Sequence, residues 1–280
     1  MNEEPPKRRR RARGAFAVGA ELAPGYRVLD HLSRARDLDV YDVWSEAREC
    51  RCVVKVVRPD RLAARDASTH HLVREGRLLL RLTHPHIVRA YELIEEPEPV
   101  LVLETLTGAT LAWLLDDLQE RGRRMPFPDV VYLGLHLASA LRYLHRHDFL
   151  HLDVKPSNIV SERALAKLID FSVGRPPGPL PRPIGSYPYM SPEQLKAELA
   201  TEATDVWGLA MVLYESAAGF RPFMRNGRRG YPQLKERAAP LRKVRRVPAA
   251  FAAAVDAGLD PAPAQRPTLE EITSVLDALA

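Results

Sequence analysis

The chain has 280 residues, of which 46% are hydrophobic and 28% are charged. This is the composition of a globular protein, and it excludes a wholly disordered, collagen-like or coiled-coil chain. The length allows one two-lobed unit or two small domains. No apolar run approaches the roughly 18 to 20 residues that cross a bilayer, and the N-terminus has no signal-peptide core. We therefore expect a cytoplasmic protein without a transmembrane segment.

The net charge of +5 is spread unevenly along the chain. Residues 1–13 carry +4, residues 221–246 carry +9, and the remaining residues together carry −8. We predict that residues 1–22 form a disordered basic arm, whose charge favours solubility over binding of nucleic acid or acidic lipid. Cys50 and Cys52 are too few for a disulfide framework and are interpreted as ordinary strand residues.

The first third of the chain predicts a small antiparallel sheet with one helix. Short runs rich in β-branched and aromatic residues predict five strands, at Tyr26–Leu32, Val40–Ser45, Cys50–Val57, Val88–Leu93 and Val100–Glu104. Between the third and fourth strands, Ser68 or Thr69 caps a helix that ends before Pro85.

The rest of the chain is predicted to be mainly helical. Apolar residues recur at helical spacing in three long segments and two shorter ones. These are Leu111–Arg121, Pro128–His147, Asp205–Ala218, Pro248–Gly258 and Thr268–Leu279.

A polar segment between apolar flanks carries the most specific signal. It reads His151-Leu152-Asp153-Val154-Lys155-Pro156-Ser157-Asn158, and Ile169-Asp170-Phe171-Ser172 follows it. Both stretches resemble the eukaryotic-like (Hanks-type) bacterial serine/threonine protein kinase family, whose catalytic loop is H-R-D-x-K-P-x-N and whose metal motif is D-F-G. Aspartate and asparagine also favour turns, but the ordered set that follows argues against plain loop chemistry.

Five further matches occur in the order that the family would give them. They are Lys55 in an apolar strand, Glu75 on the following helix, Ser191-Pro192-Glu193 at the end of the activation segment, Asp205 and Arg266. The resemblance covers residues 23–280 and implies an α+β bilobal protein kinase fold. Its small five-stranded antiparallel N-lobe with one helix would span about 23–104, and its larger, mainly helical C-lobe about 109–280.

The resemblance implies ATP as a cofactor, with Mg²⁺ or Mn²⁺. Lys55 would neutralise the α and β phosphates, and Glu75 would hold Lys55 in position. Asn158 and Asp170 would be the metal ligands, since they supply the hard oxygen atoms that Mg²⁺ prefers.

Two residues of the polar segment are expected to act on the substrate. Asp153 would orient the hydroxyl group and accept its proton, while Lys155 would stabilise the γ-phosphate as charge develops. Lys155-Pro156-x-Asn158 together with Ser186 resembles the serine/threonine branch of the family rather than the tyrosine branch.

Six positions are expected by resemblance to form the adenine pocket. They are Val40, Val53 and Val160 against the ring, Leu103 at its back, and the backbone of Glu104 and Leu106 at its edge.

The loop that covers the phosphates departs from the family pattern G-x-G-x-x-G-x-V. The glycine positions are occupied by Ser33, Ala35 and Leu38, and we count Ser33 and Ala35 among the nucleotide-binding residues. Glycine lets the backbone approach phosphates and adopt positive φ, so its absence predicts weaker nucleotide binding or an outward shift of the loop. Arg34 and Arg36 would offset part of this loss by their charge.

The activation segment departs as well. Leu152 replaces the family's arginine that grips a phosphorylated activation loop, and Ser172 replaces the glycine of D-F-G. Residues 173–185 contain five prolines and no serine, threonine or tyrosine. These changes predict a kinase that activation-loop phosphorylation does not switch.

Two functions from different classes stay open. The first is an active serine/threonine protein kinase, which docks an acidic protein substrate near residues 221–246. The alternative is a pseudokinase, a nucleotide-binding or scaffolding regulatory module, which the glycine-free loop and Asp170-Phe171-Ser172 favour.

Overall fold

The computed structural model describes residues 15–35, 37–60, 65–223 and 230–280, and the chain divides into two compact units. The first unit runs to Leu82 and resumes at Arg89–Thr105, and the second comprises Thr83–Val88 and Leu106–Ala280. The expected N-lobe over 23–104 is therefore interrupted. The cause is that residues 83–88 pair with a strand of the second unit: the N–H of Val88 donates to the carbonyl of Leu168 at 2.9 Å.

The first unit is an antiparallel sheet with the strand order β1-β2-β3-β4-β6-β5. Its strands are β1 (Glu21–Ala23), β2 (Tyr26–Arg34), β3 (Leu38–Ser45), β4 (Cys50–Val57), β5 (Ala90–Ile94) and β6 (Val100–Glu104). One face carries the apolar core of the unit, which includes Tyr41, Val43, Val54 and Val102.

The start of the first unit corrects two of our expectations. The sheet has six strands rather than five, because Glu21–Ala23 pairs with β2. Ala15 is buried in the core and Phe16 packs against it, so the predicted disordered arm over residues 1–22 is wrong for residues 15–22. Residues 1–14 lie outside the described part of the chain.

The described part of the first unit contains one helix, α1 (Arg65–Leu79). It begins before the predicted cap at Ser68 or Thr69. Leu72 and Leu79 lie on the same face of the helix, and both side chains are fully buried. This apolar stripe is what attaches the helix to its unit.

The second unit is mainly helical, as predicted. Its helices are α2 (Leu111–Glu120), α3 (Phe127–His145), α4 (Pro192–Lys196), α5 (Glu202–Ala218), α6 (Ala249–Gly258) and α7 (Leu269–Asp277). Nearly every residue of α5 is buried, including Asp205 and Trp207, because α3 and α6 pack around it. Such a helix is apolar on all sides and forms the centre of the unit.

Two short pairs of strands complete the second unit. The hairpin of β7 (Ile159–Glu162) and β8 (Leu165–Leu168) follows the polar segment, and β9 (Gly178–Pro179) pairs with β10 (Leu199–Ala200). Strand β9 lies within residues 173–185, which the sequence assigns to the activation segment. Among the described residues, no helix is both long and apolar enough to span a membrane.

Candidate active site

In the first unit, the strand register places four of the predicted residues on one face of the sheet. Val40 lies opposite Lys55, and Val53 lies opposite Leu103. Antiparallel partners point to the same side, and residues two apart share a face. Val40, Val53, Lys55 and Leu103 therefore lie on the face opposite to the apolar core.

Lys55 forms a buried ion pair with Glu75, with 2.7 Å between Nζ and Oε1. Helix α1 carries Glu75 and packs against β4 and β5. Gly76, the next residue, permits this approach, since a Cβ atom there would lie 2.7 Å from the side chain of Leu93. The ion pair fixes a lysine ammonium on the face that also carries the predicted adenine residues.

In the second unit, three residues converge on the carboxylate of Asp153. Lys155 Nζ donates to Oδ2 at 2.6 Å, and the backbone N–H of Ser186 donates to Oδ1 at 2.8 Å. Asn158 Nδ2 donates to the carbonyl oxygen of Asp153 at 3.0 Å and to Oδ2 at 3.2 Å. The predicted residues Asp153, Lys155 and Asn158 are thus brought together in one hydrogen-bonded group.

The polar segment is held from beneath by Asp205 of α5. Its carboxylate accepts the backbone N–H groups of His151 and Leu152, each at 2.8 Å, and it lies 2.9 Å from Nε2 of His145. Burial raises the pKa of Asp205, but the hydrogen bond from His145 and the other donors hold it below its usual value. This buried anion supports Leu152 in a left-handed conformation at φ 63° and so orients Asp153.

Asn158 and Asp170, the predicted metal ligands, both lie in the second unit. The N–H of Ile169 donates to the carbonyl of Asn158 at 2.9 Å, which brings the residue before Asp170 against Asn158. Because the amide nitrogen of Asn158 already donates to Asp153, its amide oxygen is the atom left to accept. An amide oxygen and a carboxylate are a donor set that fits a hard divalent cation.

The remaining adenine residues fall in different parts of the chain. Leu106 and Val160 belong to the second unit, where Val160 is buried, and Glu104 belongs to the first. The backbone N–H of Glu104 donates to the carbonyl of Arg89 at 2.9 Å. It is therefore the carbonyl of Glu104, rather than its N–H, that fits the predicted contact with the adenine edge.

The glycine-free loop forms the β2–β3 turn of the first unit. None of Ser33, Ala35 and Leu38 has a positive φ, so the turn does not need the glycines that the family pattern has there. Arg34 was expected to supply charge to the phosphates, but its guanidinium is paired with Asp39 at 2.7 Å. Arg36 lies outside the described residues.

The activation segment is attached to the second unit by apolar contacts. Leu152 is buried in a cluster with Leu150, Leu180, Ile184 and Ala200. The side chain occupies the place in the sequence where the family has a phosphate-binding arginine. The end of the segment is fixed by Arg266, whose guanidinium makes a two-point ion pair with the buried carboxylate of Glu193 at 2.7 and 2.8 Å.

Two residues that our sequence reasoning did not count among the site residues take part. Ser186 Oγ accepts a hydrogen bond from Lys155 Nζ at 2.5 Å. Gln194 Nε2 donates to the carbonyls of Leu152 and Ile184 at 2.7 and 2.8 Å and so joins the catalytic loop to the activation segment. Ser186 could have been found from its place after Gly185. The S-x-x-Q pattern of Ser191 and Gln194 marks a capping box at the start of α4, but it does not indicate the bonds of Gln194 to Leu152 and Ile184.

The protein kinase domain family matches residues 33–275, and the chain belongs to this family. The expected family and α+β fold class are confirmed. The chain is 30% identical over 182 residues to the serine/threonine-protein kinase PknA of Corynebacterium glutamicum, which covers 61% of this chain and 38% of that protein. It is 33% identical over 184 residues to PknB of Mycobacterium leprae, covering 61% and 29%.

A third relative, PknB of Mycolicibacterium smegmatis, is 32% identical over 215 residues, which cover 71% of this chain and 32% of that protein. The matched region thus spans about a third of the length of these curated relatives.

Proposed function

We propose that the chain transfers the γ-phosphate of ATP to serine or threonine hydroxyl groups of a protein substrate. The observation that carries this proposal is the group around Asp153, with Lys155, Asn158 and Ser186 within hydrogen-bond distance. Asp153 orients the substrate hydroxyl and accepts its proton, since a carboxylate is the acceptor that this step requires. Lys155 provides positive charge for the phosphoryl group in transfer.

The cofactors of this proposal are ATP and a divalent cation, Mg²⁺ or Mn²⁺. The bound metal neutralises phosphate charge, and Asn158 and Asp170 are the residues that would hold it. Lys55 binds the α and β phosphates, and the buried ion pair with Glu75 supports this assignment because it holds the ammonium in one position.

Phosphorylation of the activation segment has no part in this proposal. Leu152, Leu180 and Ile184 bury apolar surface together, so the segment is held by a contact that is present without a phosphate. Backbone bonds add to it: Leu150 and Arg175 exchange two hydrogen bonds, at 2.8 and 3.1 Å. The active arrangement would then be the resting state of the chain.

The substrate in this proposal is an acidic protein that docks on residues 221–246, which we call the basic segment. Four of its cations, Lys235, Arg242, Lys243 and Arg246, are exposed and form no ion pair with another described residue. Such charges attract an acidic partner and accelerate its association. Arg228 and Arg229 lie outside the described residues.

The pseudokinase remains a second candidate, because the β2–β3 turn has no glycine at the positions that cover the phosphates. In that case the chain would bind nucleotide or a partner protein without phosphoryl transfer. Its retained Lys55, Asp153 and Asp170 would then support binding alone.

Incubation with Mg·ATP and a generic protein substrate tests the proposal. We expect the wild type to transfer phosphate, and Asp170→Asn and Lys55→Ala each to abolish transfer while unfolding stays cooperative. Asp277→Asn is the matched control, because it makes the same chemical change on the exposed end of α7. Transfer by Asp170→Asn at near the wild-type rate would refute the metal assignment, and no transfer by the wild type would favour the pseudokinase.

A further inference from the structure

The β2–β3 turn is surrounded by a group of charged residues that no motif of the sequence marks. We call it the Asp39 network, and its members are His31, Arg34, Asp39, Arg58 and Asp60. All five belong to the first unit.

Asp39 is the centre of the network. Its side chain is completely buried, and Arg34 binds both carboxylate oxygens, with 2.7 Å from Nε to Oδ1 and 2.7 Å from Nη2 to Oδ2. Nε2 of His31 lies 3.0 Å from Oδ1. Burial alone would raise the pKa of Asp39, but the hydrogen bonds from Arg34 and His31 keep it below its usual value, so the group is charged at neutral pH.

The network continues from Arg34 to the other side of the turn. Asp60 lies 3.8 Å from Arg34 Nη1 and 2.7 Å from Arg58 Nη2. Arg58 Nη1 donates to the carbonyl of Ala35 at 3.1 Å, and the backbone N–H of Arg58 donates to the carbonyl of Asp37 at 2.9 Å. Two carbonyls of the turn are therefore bound to the residue that follows β4.

The strand register shows on which face of the sheet this network lies. Asp39 is opposite Val56, a core residue, whereas the adjacent Val40 is opposite Lys55. Successive strand residues point to opposite faces. The side chain of Asp39 thus lies on the face away from Lys55, and it draws the guanidinium of Arg34 to that same face.

The ionic contacts and the absence of glycine both restrict the backbone around the β2–β3 turn. None of Ser33, Ala35 and Leu38 has a positive φ, and the network binds the carbonyls of Ala35 and Asp37, the described residues on either side of position 36. Buried, two-point arginine–carboxylate pairs are directional and hold a single geometry. Glycine would instead leave the turn free to adopt several conformations.

We propose that Asp39 is a positioning residue for nucleotide binding, which holds the described ends of the β2–β3 turn, Ala35 and Asp37, in place before ATP arrives. This rests on the proposed function only for the identity of the ligand. A turn that is already ordered loses less conformational entropy on binding, which favours affinity. The family pattern has glycines at these positions, whereas here the contacts of the Asp39 network would hold Ala35 and Asp37 in place.

The test is Asp39→Asn, with Arg34→Gln as a second variant that keeps the buried carboxylate and its contact with His31. Glu92→Gln is the matched control. Glu92 accepts hydrogen bonds from Arg48 at 2.9 Å and from Tyr26 at 2.7 Å. It lies on the same face of the sheet as Asp39, but on the edge strand β5.

Two readouts are measured on the full chain: amide hydrogen exchange, and affinity for Mg·ATP by calorimetry. We expect Asp39→Asn and Arg34→Gln to accelerate exchange of the amides of Ala35 and Arg58 at least tenfold and to weaken ATP binding at least threefold. In the control, both quantities should stay within twofold of the wild type. If the enzyme turns over, KM for ATP should rise and kcat should not change.

The outcomes separate this proposal from the proposed function. Unchanged exchange at Ala35 and Arg58, or equal loss of ATP affinity in Asp39→Asn and Glu92→Gln, would overturn the positioning role. A wild type that binds ATP but transfers no phosphate would refute the kinase activity and leave the affinity comparison valid. A wild type without ATP affinity would overturn both.

Discussion

Asp153 and Asp205 are both buried aspartates that serve the same loop, and their partners give them different tasks. The carboxylate of Asp205 accepts two backbone N–H groups and faces His145, so its oxygen atoms are used for structure. Asp153 accepts hydrogen bonds from Lys155 and from the backbone N–H of Ser186. The family resemblance assigns Asp153 and Lys155 to catalysis. The partners of Asp205 therefore indicate support of the loop, whereas Asp153 lies beside the lysine that would act on the phosphoryl group.

The pair of His145 and Asp205 predicts a pH-dependent contribution to stability. Burial lowers the pKa of His145, but the hydrogen bond and the charge of Asp205 raise it above its usual value. A raised pKa contributes stability that is complete below about pH 6.5 and is lost as the pH rises through the pKa of the folded protein. His145→Gln should therefore lower the free energy of unfolding by about 2 kcal/mol at pH 6 and by less at pH 9.

Denaturant unfolding at both pH values measures this difference. His147→Gln is the control, since His147 is exposed just after the end of α3 and forms no ion pair with another described residue. A destabilisation by His145→Gln that is the same at pH 6 and pH 9 would show that the charged form of His145 is not what binds Asp205.

At the scale of elements, the activation segment packs on an apolar cluster that includes Leu152, at the position where the family has a phosphate-binding arginine. The N–H of Leu180 donates to the carbonyl of Glu198 at 3.0 Å, and its side chain packs against Leu152 and Ile184. The prolines of residues 173–185 restrict φ and reduce the entropy that ordering the segment costs. These contacts support the proposal that the segment is ordered without a modification.

We expect Leu180→Ala to loosen this segment. The loss of a buried leucine costs about 2 to 5 kcal/mol, and amide exchange at Leu180 and Arg175 should accelerate together with a fall in phosphoryl transfer. Leu199→Ala is the matched control, because Leu199 lies on the paired strand β10 but is exposed. Equal effects of the two substitutions would show that the strand pairing, and not the apolar cluster, holds the segment.

The same attachment predicts the effect of a phosphatase. Treatment of the purified protein should leave its rate almost unchanged, because residues 173–185 contain no serine, threonine or tyrosine and Leu152 cannot bind a phosphate. A large fall in the rate would direct attention to Ser172, Ser186 or a site outside the segment.

At the scale of the whole molecule, the sequence predicted what depends on local pattern and motif order. Five of the six strands of the sheet follow from alternating runs, but Glu21–Ala23 is too short for such a signal. The β7–β8 hairpin was missed because its turn uses Arg163 and Ala164 at positive φ, where asparagine and glycine are the usual signal. The Asp39 network was missed because its partners are brought together only by the register of β2, β3 and β4.

The candidate site shows the same limit. The order of motifs along the chain identified Lys55, Glu75, Asp153, Asn158 and Asp170, because each of them belongs to a spaced motif. Gln194 belongs to a capping box with Ser191, but its contacts with the carbonyls of Leu152 and Ile184 lie outside that local pattern. Contacts of this kind have no local pattern from which to predict them.

The charge of the whole chain is the basis of the last prediction. The net charge is +5, but the basic segment carries +9 and the rest of the chain is acidic in balance apart from the N-terminal arm. The attraction between such a segment and an acidic protein acts over a screening length of about 8 Å at physiological salt. Reversal of the segment's exposed cations should therefore act on association with the substrate rather than on phosphoryl transfer.

The structure decides which cations to reverse. Arg245 must be left in place, because its guanidinium donates to the carbonyls of Ala217 and Met125 at 2.8 and 2.9 Å and so closes the end of α5. The variant with Lys235, Arg242, Lys243 and Arg246 changed to Glu should raise KM for an acidic protein substrate at least fivefold at low salt. ATP affinity and activity toward a short neutral peptide should not change. The difference between variant and wild type should shrink as salt is added, and an equal loss toward peptide and protein would show that the segment supports the fold instead of docking.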